Sequence, residues 1–499
     1  MYWLRNVALT AAAFGGSWGG AIWFWRETNR MPATSELVLY LLVLPVLLLS
    51  TWWLARKAWT RATAATAPVA GAAAGAGDAA QAAAAATAPL PPGLIIAASA
   101  VRAPHGGSVA DLRAALAGNQ ARPSLDDELY DDDGYPILSA RLPDAGDTAL
   151  REELDLWRRT HQLEDPRLDQ TQWRALAAAS AVTAELAAQA SLHADLGAWE
   201  QQQQERKSGR LAPNAAVAPM PPLLHLLPLW ADDWKPQQRE LAAQWLRRVA
   251  IEAGWPQALL SPTAHEAGAN APLIGDGAVL AAREGDAGAI LAALLQRRAD
   301  ARQPCLALLV AAGSHLSDAA VSRLSNQNAL YTANRPQGRI PGEGAAGMLL
   351  ADAATAGAIG PDASGGTVLQ ALHQGRRATS ADEVRRDTDS CLTDAVQHAL
   401  QAAQVDGANI ALVAADTGHR TSRVTELMHV VTAAAPQLDP GADVISVGAS
   451  CGSCGAVTWL TALALAGAEA QERAAPVLCI SNEDPYRRYV ALLRPASAA

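Results

Sequence analysis

The amino-acid sequence predicts an α/β fold with a covered sheet, preceded by two membrane-spanning helices. From residue 93 onward, short apolar runs alternate with helix-like stretches. Strands that are apolar on both faces are typical of sheets covered by helices. Hydrophobic residues make up 50% of the 499-residue chain, which is enough for a sizeable core. The first sixty residues stand apart because they contain two long uncharged segments.

The two uncharged segments are residues 7–25 and 37–55. Each is close to the ~20 residues that cross a bilayer, and tryptophans flank both of them. A signal peptide is the alternative for the first segment, but it lacks a clear cleavage site and a second span follows at once. Basic residues outside the pair outnumber those between the segments, so the positive-inside rule places both chain ends in the cytoplasm. We therefore expect two transmembrane helices over residues 1–61, with the rest of the chain in the cytoplasm.

The domain boundaries follow from changes in composition. Residues 62–92 are rich in Ala, Gly and Pro without an apolar pattern, which indicates a linker. Beyond it we expect one globular domain, with an N-terminal half over residues 93–270 and a C-terminal half over residues 271–499. Residues 151–221, approximately, are predicted to be a helical insertion in the first half.

Charge and cysteine content exclude some functions. The net charge is −10, and no run of Lys and Arg is long enough to follow a phosphate backbone, so nucleic-acid binding is not predicted. The five cysteines do not resemble a secreted disulfide framework. A reducing compartment fits them better.

The globular part alternates between strand-like and helix-like stretches. The strand-like runs are residues 93–100, 222–230, 305–312, 347–351, 410–415, 444–448, 477–480 and 489–493. The helix-like stretches are residues 109–117, 237–253, 318–324, 421–433 and 455–466. This alternation predicts a sheet that is covered by helices on both faces.

The glycine-rich stretch RIPGEGAAGMLLAD, residues 339–352, first suggests a phosphate-binding loop. It lacks the Gly-Lys-Ser/Thr of a P-loop, and its strand follows the glycines instead of preceding them. No helix begins where the glycines could present N–H groups to a phosphate. Nucleotide binding is therefore not predicted here, and Glu343 is interpreted as a structural acid at a packed turn.

Five segments resemble the C-terminal part of β-ketoacyl synthases of the thiolase superfamily. They are CLALLVAAGSHLSD, RIPGEGAAGMLLAD, ALVAADTGHRTSRVTE, VISVGASCGSCGAVTWL and CISNEDPYRRYVALLRP, in this order along the chain. Residues 93–125 resemble the first strand and helix of the same family. The resemblance covers roughly residues 93–125 and 270–496. It implies two copies of a βαβ-rich unit in five layers, α-β-α-β-α.

The resemblance also implies catalytic positions, and this sequence departs from each of them. The segment expected to hold the nucleophilic Cys, about residues 265–292, contains no Cys. Asp416 occupies the position of the first active-site His, and Gly452 that of the second. The final Gly-rich loop, which supplies oxyanion donors in the family, is replaced by SNEDPYRRY. These departures predict that the family's chemistry is lost, that the chain is not an enzyme, and that it needs no cofactor.

Cys451 and Cys454 form a CxxC pair between an apolar strand and a helix. Three interpretations remain open. The pair is a small-residue turn with Cys as a small hydrophobe, a redox dithiol at a helix N-terminus, or half of a metal site. A zinc site needs four ligands, and the other cysteines are distant single residues, so no metal is predicted.

Three further features have competing interpretations. Trp230 and Trp234 are either part of a buried strand region or an exposed element that binds a partner. His419 is either part of a polar site with Asp416 or part of a strand-to-helix connection. Residues 126–133 (DDELYDDD) lack EF-hand spacing, so they indicate a solvated acidic turn more than a calcium site.

The sequence thus predicts a non-catalytic, inner-membrane-tethered adaptor or scaffold. Its arrangement resembles type VI lipase adapter proteins, which implies a secreted effector or a secretion spike component as protein partner. Glycine pairs in the first span are compatible with a homodimer. One alternative is an acyl-transfer or condensing enzyme of lipid metabolism with rearranged residues, such as Cys451 or His419. The other is a membrane-tethered CxxC redox protein.

Overall fold

A computed structural model describes residues 93–212, 216–261, 286–300, 304–383 and 389–496. The predicted transmembrane helices (1–61) and linker (62–92) lie outside the described residues. So does most of the segment in which the resemblance expects a nucleophile. Only residues 286–292 of that segment are described.

Strands and helices alternate along the described chain. The strands are β1 (Leu94–Arg102), β2 (Ser124–Tyr130), β3 (Pro136–Ser139), β4 (Leu224–Leu229), β5 (Leu306–Ser314), β6 (Glu343–Ala351), β7 (Thr367–Arg376), β8 (Leu412–Ala415), β9 (Val444–Ser446), β10 (Val477–Ser481) and β11 (Arg487–Pro495). The helices are α1 (Val109–Ala117), α2 (Asp147–Thr160), α3 (Gln170–Ala190), α4 (Asp195–Lys207), α5 (Pro236–Glu252), α6 (Ala287–Asp300), α7 (Asp318–Asn326), α8 (Ala353–Ile359), α9 (Pro361–Ser364), α10 (Cys391–Ala403), α11 (Thr421–Ala434), α12 (Val447–Cys451) and α13 (Ala456–Arg473). The α/β prediction is confirmed.

Nine of these strands form one large sheet, in the order β4-β5-β6-β1-β7-β11-β10-β8-β9. The order repeats itself about the β1–β7 junction. β4 pairs parallel to β5, β5 antiparallel to β6, and β6 antiparallel to β1. In the second half β8, β10, β11 and β7 pair in the same senses. Each half is thus one copy of the same unit, and only residues 94–96 and 367–369 join the two copies.

Both halves of this sheet contribute alternate side chains to one shared core. Each half is covered by helices on its other face, so there are three helical layers. In β5, Ala307, Leu309 and Ala311 face a core shared by both halves, whereas Leu308 and Val310 face an outer layer. The shared core contains helices α6 and α13, and α13 packs on strands of both halves. Helices α3 and α5 cover the outer face of the first half. Helices α10 and α11 cover the outer face of the second half. The layers therefore follow the predicted order α-β-α-β-α.

Helix α3, within the predicted helical insertion, serves as a covering helix for the sheet. Its Ala-rich inner side packs on β5 and β6, and Asp169 and Gln172 form a capping box at its start. Among the described residues no single helix is long and apolar enough to span a membrane. Helices α3 and α4 meet the length and composition criteria only as a pair, which is bent by 85°.

The glycine-rich stretch, residues 339–352, contains the whole of β6, a fully buried strand. The Glu343 carboxylate accepts hydrogen bonds from the Leu142 N–H at 2.8 Å and the Ser314 hydroxyl at 2.8 Å. Arg174 forms a two-point ion pair with the same carboxylate. Every contact ties a neighbouring segment to the strand. This geometry agrees with Glu343 as a structural acid.

Candidate functional site

Asp416, Ser481 and Tyr489 lie side by side where β8 and β10 end and β11 begins. Ser481 is paired with Tyr489 in the β10–β11 register. Ile480 is paired with Ala415 in the β8–β10 register, so Ser481 lies opposite Asp416. The alternate residues of these strands belong to the shared central core. The three side chains therefore face the central layer from adjacent strands.

The Asp416 carboxylate is buried and held by three donors. The Ser481 hydroxyl donates to it at 2.5 Å, and the backbone N–H groups of Asn482 and Glu483 donate at 2.9 and 3.2 Å. Burial raises the pKa of Asp416 to about 6, against the lowering effect of the Ser481 hydrogen bond, and the nearby Glu483 charge raises it further. This carboxyl group therefore exchanges its proton close to neutral pH.

A second carboxyl group, that of Asp286, lies at the N-terminus of α6. It accepts the Ala289 N–H at 3.1 Å in the first turn of the helix. The Tyr489 hydroxyl is 2.7 and 2.9 Å from its two oxygens, and Arg487 donates to it at 2.7 Å. Burial first, and then the hydrogen bond to Asp286, raise the pKa of Tyr489, so the phenol stays protonated and donates. Sequence reasoning missed Asp286 because only the three-dimensional fold brings it against β11.

The Tyr489 ring closes over the start of α6. It stacks on Trp459 of α13 with 5.2 Å between ring centroids. A Cβ atom at Gly288 would lie 2.3 Å from the Tyr489 ring, so this helix position must be glycine for the ring to fit. Helices α6 and α13 thus both contact the ring that carries the phenol.

Ion pairs hold the SNEDPYRRY segment in place. Arg420 donates to the Glu483 carboxylate at 2.8 Å and to Asp382 at 2.6 Å. Arg423 also binds Asp382, at 2.8 Å. The sequence suggested that this segment would not organise backbone donors. In the structure two successive N–H groups of the segment are organised, and both point at Asp416.

The other positions implied by the resemblance lie at the α12–α13 connection. Gly452 has φ = 70°, and a Cβ atom there would approach Gly342 Cα and the Pro341 carbonyl at 3.0 Å. A histidine at this position would be strained and crowded. His419 lies near the connection, and its ring packs edge-on against Tyr331 at 4.9 Å.

Cys451 and Cys454 are both buried in the central core. Burial raises the pKa of Cys451 to about 12, and burial likewise raises that of Cys454. A redox dithiol requires a thiolate, and burial in apolar surroundings opposes its formation. These positions favour the packing interpretation, and the redox role stays a prediction.

A small cavity lies beside the backbone of Asp416. It is lined by Arg339, Ile340, Gly418, His419, Gly448, Ser453 and Glu483. Its volume of about 10 Å³ admits roughly one water molecule. A larger molecule would enter only if the lining loops moved apart.

Trp230 and Trp234 lie at the end of β4, away from this site. Their rings stack on each other with 4.4 Å between centroids. They are 7% and 4% exposed and belong to the outer core of the first half. Partner binding through these rings stays a prediction, and it would require them to leave the core.

Metal ligands are not clustered in the part of the chain that the structure describes. No group of three or more His, Cys, Asp or Glu side chains there is placed to hold an ion. The acidic residues 126–133 instead form β2 and its turn. Asp126 is buried and accepts hydrogen bonds from Ser139 and Arg141.

Comparison with known proteins identifies the fold. No family model and no curated protein matches the sequence. The oxazolomycin ketosynthase domain of Streptomyces albus JA3453 matches with a TM-score of 0.50 and 12% identity, over 81% of this chain and 74% of that one. A β-ketoacyl synthase from Burkholderia phymatum STM815 matches at 0.45 and 15%, over 81% and 99%. A type II polyketide ketosynthase, solved with its acyl-carrier protein, matches at 0.46 and 13%, over 81% and 100%.

The comparison corrects the prediction that the chain is not an enzyme. The solved proteins found are ketosynthases and ketosynthase/chain length factor pairs. The prediction had rested on the missing cysteine, the two missing histidines and the replaced Gly-rich loop of the family. Ketosynthases of this group are also found with acyl-carrier protein or chain length factor partners. The chain has a thiolase-like ketosynthase fold.

Proposed function

We propose that the chain is an acyl-transfer or condensing enzyme of lipid metabolism whose reacting groups are carboxyls in place of a thiol and two imidazoles. The observation that carries this proposal is Asp416. A carboxyl group with a pKa of about 6 is fully enclosed in the central layer of a ketosynthase-like fold. Perturbed carboxyls of this kind concentrate at functional sites.

The proposed role of Asp416 is that of a general base. In the proposed condensation a proton leaves the carbon next to one thioester carbonyl, and the resulting carbanion attacks the carbonyl carbon of a second acyl thioester. The C–S bond of that second thioester breaks, and its sulfur leaves as a thiol with the proton. A base with a pKa near the working pH is best suited to the proton removal. Asp416 would take the proton, and the Ser481 hydroxyl and the two backbone N–H donors would keep the carboxyl group in place.

Asp286 and Tyr489 are proposed to hold the polar end of the substrate. The phenol is a neutral donor already directed into the central layer, and Arg487 supplies a positive charge at the same carboxylate. A thioester carbonyl that replaced the Asp286 oxygens would receive the Tyr489 hydrogen bond. The proposed substrate class is therefore an acyl chain carried as a thioester.

Two further expectations belong to the same proposal. The membrane hairpin over residues 1–61 would hold the domain at the cytoplasmic face of the inner membrane, close to lipid precursors. Protease accessibility of the globular domain in inverted and right-side-out vesicles tests this orientation. Loading of a secretion effector stays a prediction, and no observation on the described residues favours it.

The experiment uses the purified full-length chain in detergent. Acyl thioesters of pantetheine and of acyl-carrier protein, which form a carbanion only by loss of a proton, are supplied, and products are identified by mass spectrometry. Asp416→Asn keeps the size of the side chain but removes the titrating proton. We expect the rate of product formation to fall by about a hundredfold or more.

Asp352→Asn is the matched control for this experiment. Asp352 is also buried, but it caps α8 and lies outside the site. Its replacement should leave the rate within a factor of about two, because it touches none of the reacting groups. A wild-type chain that converts none of the thioesters would contradict the proposal. So would an Asp416→Asn variant that retains the wild-type rate.

A further inference from the structure

The hairpin formed by β2 and β3 presents an apolar outer face that the function proposed above does not use. Tyr130 is paired with Pro136, and Leu125 with Leu138, so these four side chains share one face. Leu125 is 62% exposed and Tyr130 is 53% exposed. Tyr135, in the turn between the strands, is 69% exposed. Large side chains clustered in this way on a surface usually mark an interaction site.

The hairpin is well anchored, so its exposed face is presented in a fixed orientation. Its opposite face contributes Leu129 and Ile137 to a buried cluster with residues of α7 and its flanking loops. The Asp126 carboxylate lies under the strand and accepts hydrogen bonds from the Glu128 and Leu129 N–H groups. Arg141 binds the same carboxylate through two nitrogens. The exposed face is thus part of a stable element.

The charge around this face is strongly negative. Residues 124–140 contain six acidic residues and no basic residue. Of the six, Asp126 and Glu128 both form ion pairs with Arg141, and the other four lie on the outer strand and turn. Asp127 and Asp133 are exposed. An apolar strip bordered by carboxylates is complementary to a segment in which apolar and basic side chains alternate.

The same charge argues against the other common occupants. An anionic lipid surface or a nucleic acid would be repelled by the remaining four carboxylates. A second copy that placed its own hairpin face to face would bring two such groups together. A basic protein segment is the occupant that gains from both the charge and the apolar strip.

We propose that the outer face of the β2–β3 hairpin is a docking surface for a basic, apolar segment of a partner protein. The exposed tyrosines would contact its apolar side chains and cations. The flanking carboxylates would speed its approach and fix its orientation. This surface is independent of the Asp416 site, so either proposal can fail without the other.

The test uses the full-length chain and two fluorescent 12-residue peptides. One alternates Lys or Arg with Val and Tyr, and the other replaces each basic residue by Glu. Fluorescence anisotropy gives Kd in 50 and 200 mM salt. We expect the basic peptide to bind, with a Kd that rises several-fold at the higher salt concentration. The acidic peptide should not bind.

Three variants locate the binding. The double variant Leu125→Ser/Tyr130→Ser removes the apolar strip. The double variant Asp127→Asn/Asp133→Asn removes two negative charges beside it. Each double variant should raise the Kd of the basic peptide by about tenfold or more. Leu156→Ser on α2 is the matched control, because Leu156 is equally exposed at 68% but lies on another element. It should leave Kd unchanged.

Three results would overturn the proposal. The first is equal binding by wild type and Leu125→Ser/Tyr130→Ser, with circular dichroism showing that both are folded. The second is equal affinity for the acidic peptide. The third is self-association of the wild type that the Leu125→Ser/Tyr130→Ser variant loses, because this would assign the face to a second copy of the chain.

Discussion

Replacing Asp416 by asparagine is expected to stabilise the protein at neutral pH and not at pH 4. A buried carboxyl group with a raised pKa favours the protonated form in the folded state. Below pH 3.8 the group is protonated in both states and has no effect on stability. As the pH rises, the unfolded chain loses this proton first, so the unfolded state is favoured until the folded pKa of about 6 has been passed.

The magnitude follows from the two pKa values. The ordinary value is 3.8 and the folded value is about 6, a difference of roughly two pH units. Each unit corresponds to about 1.4 kcal/mol, so the ionised carboxyl lowers the free energy of unfolding by about 3 kcal/mol above pH 7. Asparagine does not titrate, and its amide oxygen can still accept the two backbone N–H groups. The free energy of unfolding of the wild type should therefore fall relative to that of the variant as the pH rises from 4 to 7.

The assay is urea unfolding of both proteins at pH 4, 5, 6 and 7.5, followed by tryptophan fluorescence. Asp352→Asn is the control, and it should change the free energy of unfolding in the opposite direction. Burial raises the pKa of Asp352, but hydrogen bonds from the Cys305 N–H and from Thr355 outweigh this effect and lower it overall. The Asp352 carboxylate therefore stabilises the fold above pH 3.8, and its loss should destabilise the protein over the whole range from pH 5 to 7.5.

The difference in unfolding free energy between wild type and Asp416→Asn is compared at pH 4 and pH 7.5. Other titrating groups contribute equally to wild type and variant, so they cancel in the difference. A difference in unfolding free energy between wild type and Asp416→Asn that is the same at both pH values would refute the reasoning. It would mean that Asp416 ionises in the folded state as easily as in the unfolded chain.

Three other substitutions or treatments test the packing of the site. Glu343→Gln should lower the free energy of unfolding by about 3 kcal/mol, because the largely buried Arg174 would lose its two-point ion pair and keep only the carboxylate of Asp147 at 4.0 Å; chemical denaturation measures this. Cys451 and Cys454 should resist iodoacetamide at pH 8 in the native protein and react in urea, as peptide mass spectrometry will show; rapid native alkylation would revive the redox interpretation. Gly452→His should lower the melting temperature by several degrees, because it combines a positive φ with backbone contacts; an unchanged melting temperature would contradict the crowding described here.

The strands and their covering helices could be predicted from the sequence because their signals are local. The runs at residues 305–312 and 477–480 are apolar at every position, and both form strands buried on two faces. Glu343 was interpreted as a structural acid at a packed turn, and its contacts with Leu142, Ser314 and Arg174 agree with this interpretation. The five-layer arrangement came from the resemblance, since nothing local reveals which helices lie between the two halves.

The site could not be predicted because its parts come from distant positions. Asp286 meets Tyr489 across 203 residues, and only the packing of α6 against β11 creates their hydrogen bond. Sequence reasoning examined Asp416 as a lost histidine and thus overlooked its own chemistry. The raised pKa depends on complete burial, which periodicity alone does not reveal. The prediction that the chain is not an enzyme, which the comparison with ketosynthases corrects, rested on this step.

The stability and the activity of Asp416→Asn, measured together, show whether the Asp416 carboxyl group takes part in the reaction. An ionised carboxyl group that costs about 3 kcal/mol at neutral pH weakens the fold, so a use for its proton would account for its presence. If Asp416 is the base, wild-type activity should rise with pH through about 6, since only the ionised carboxyl accepts a proton. The asparagine variant should then be more stable and inactive. A variant that is more stable and fully active would show that Asp416 does not take part in the reaction.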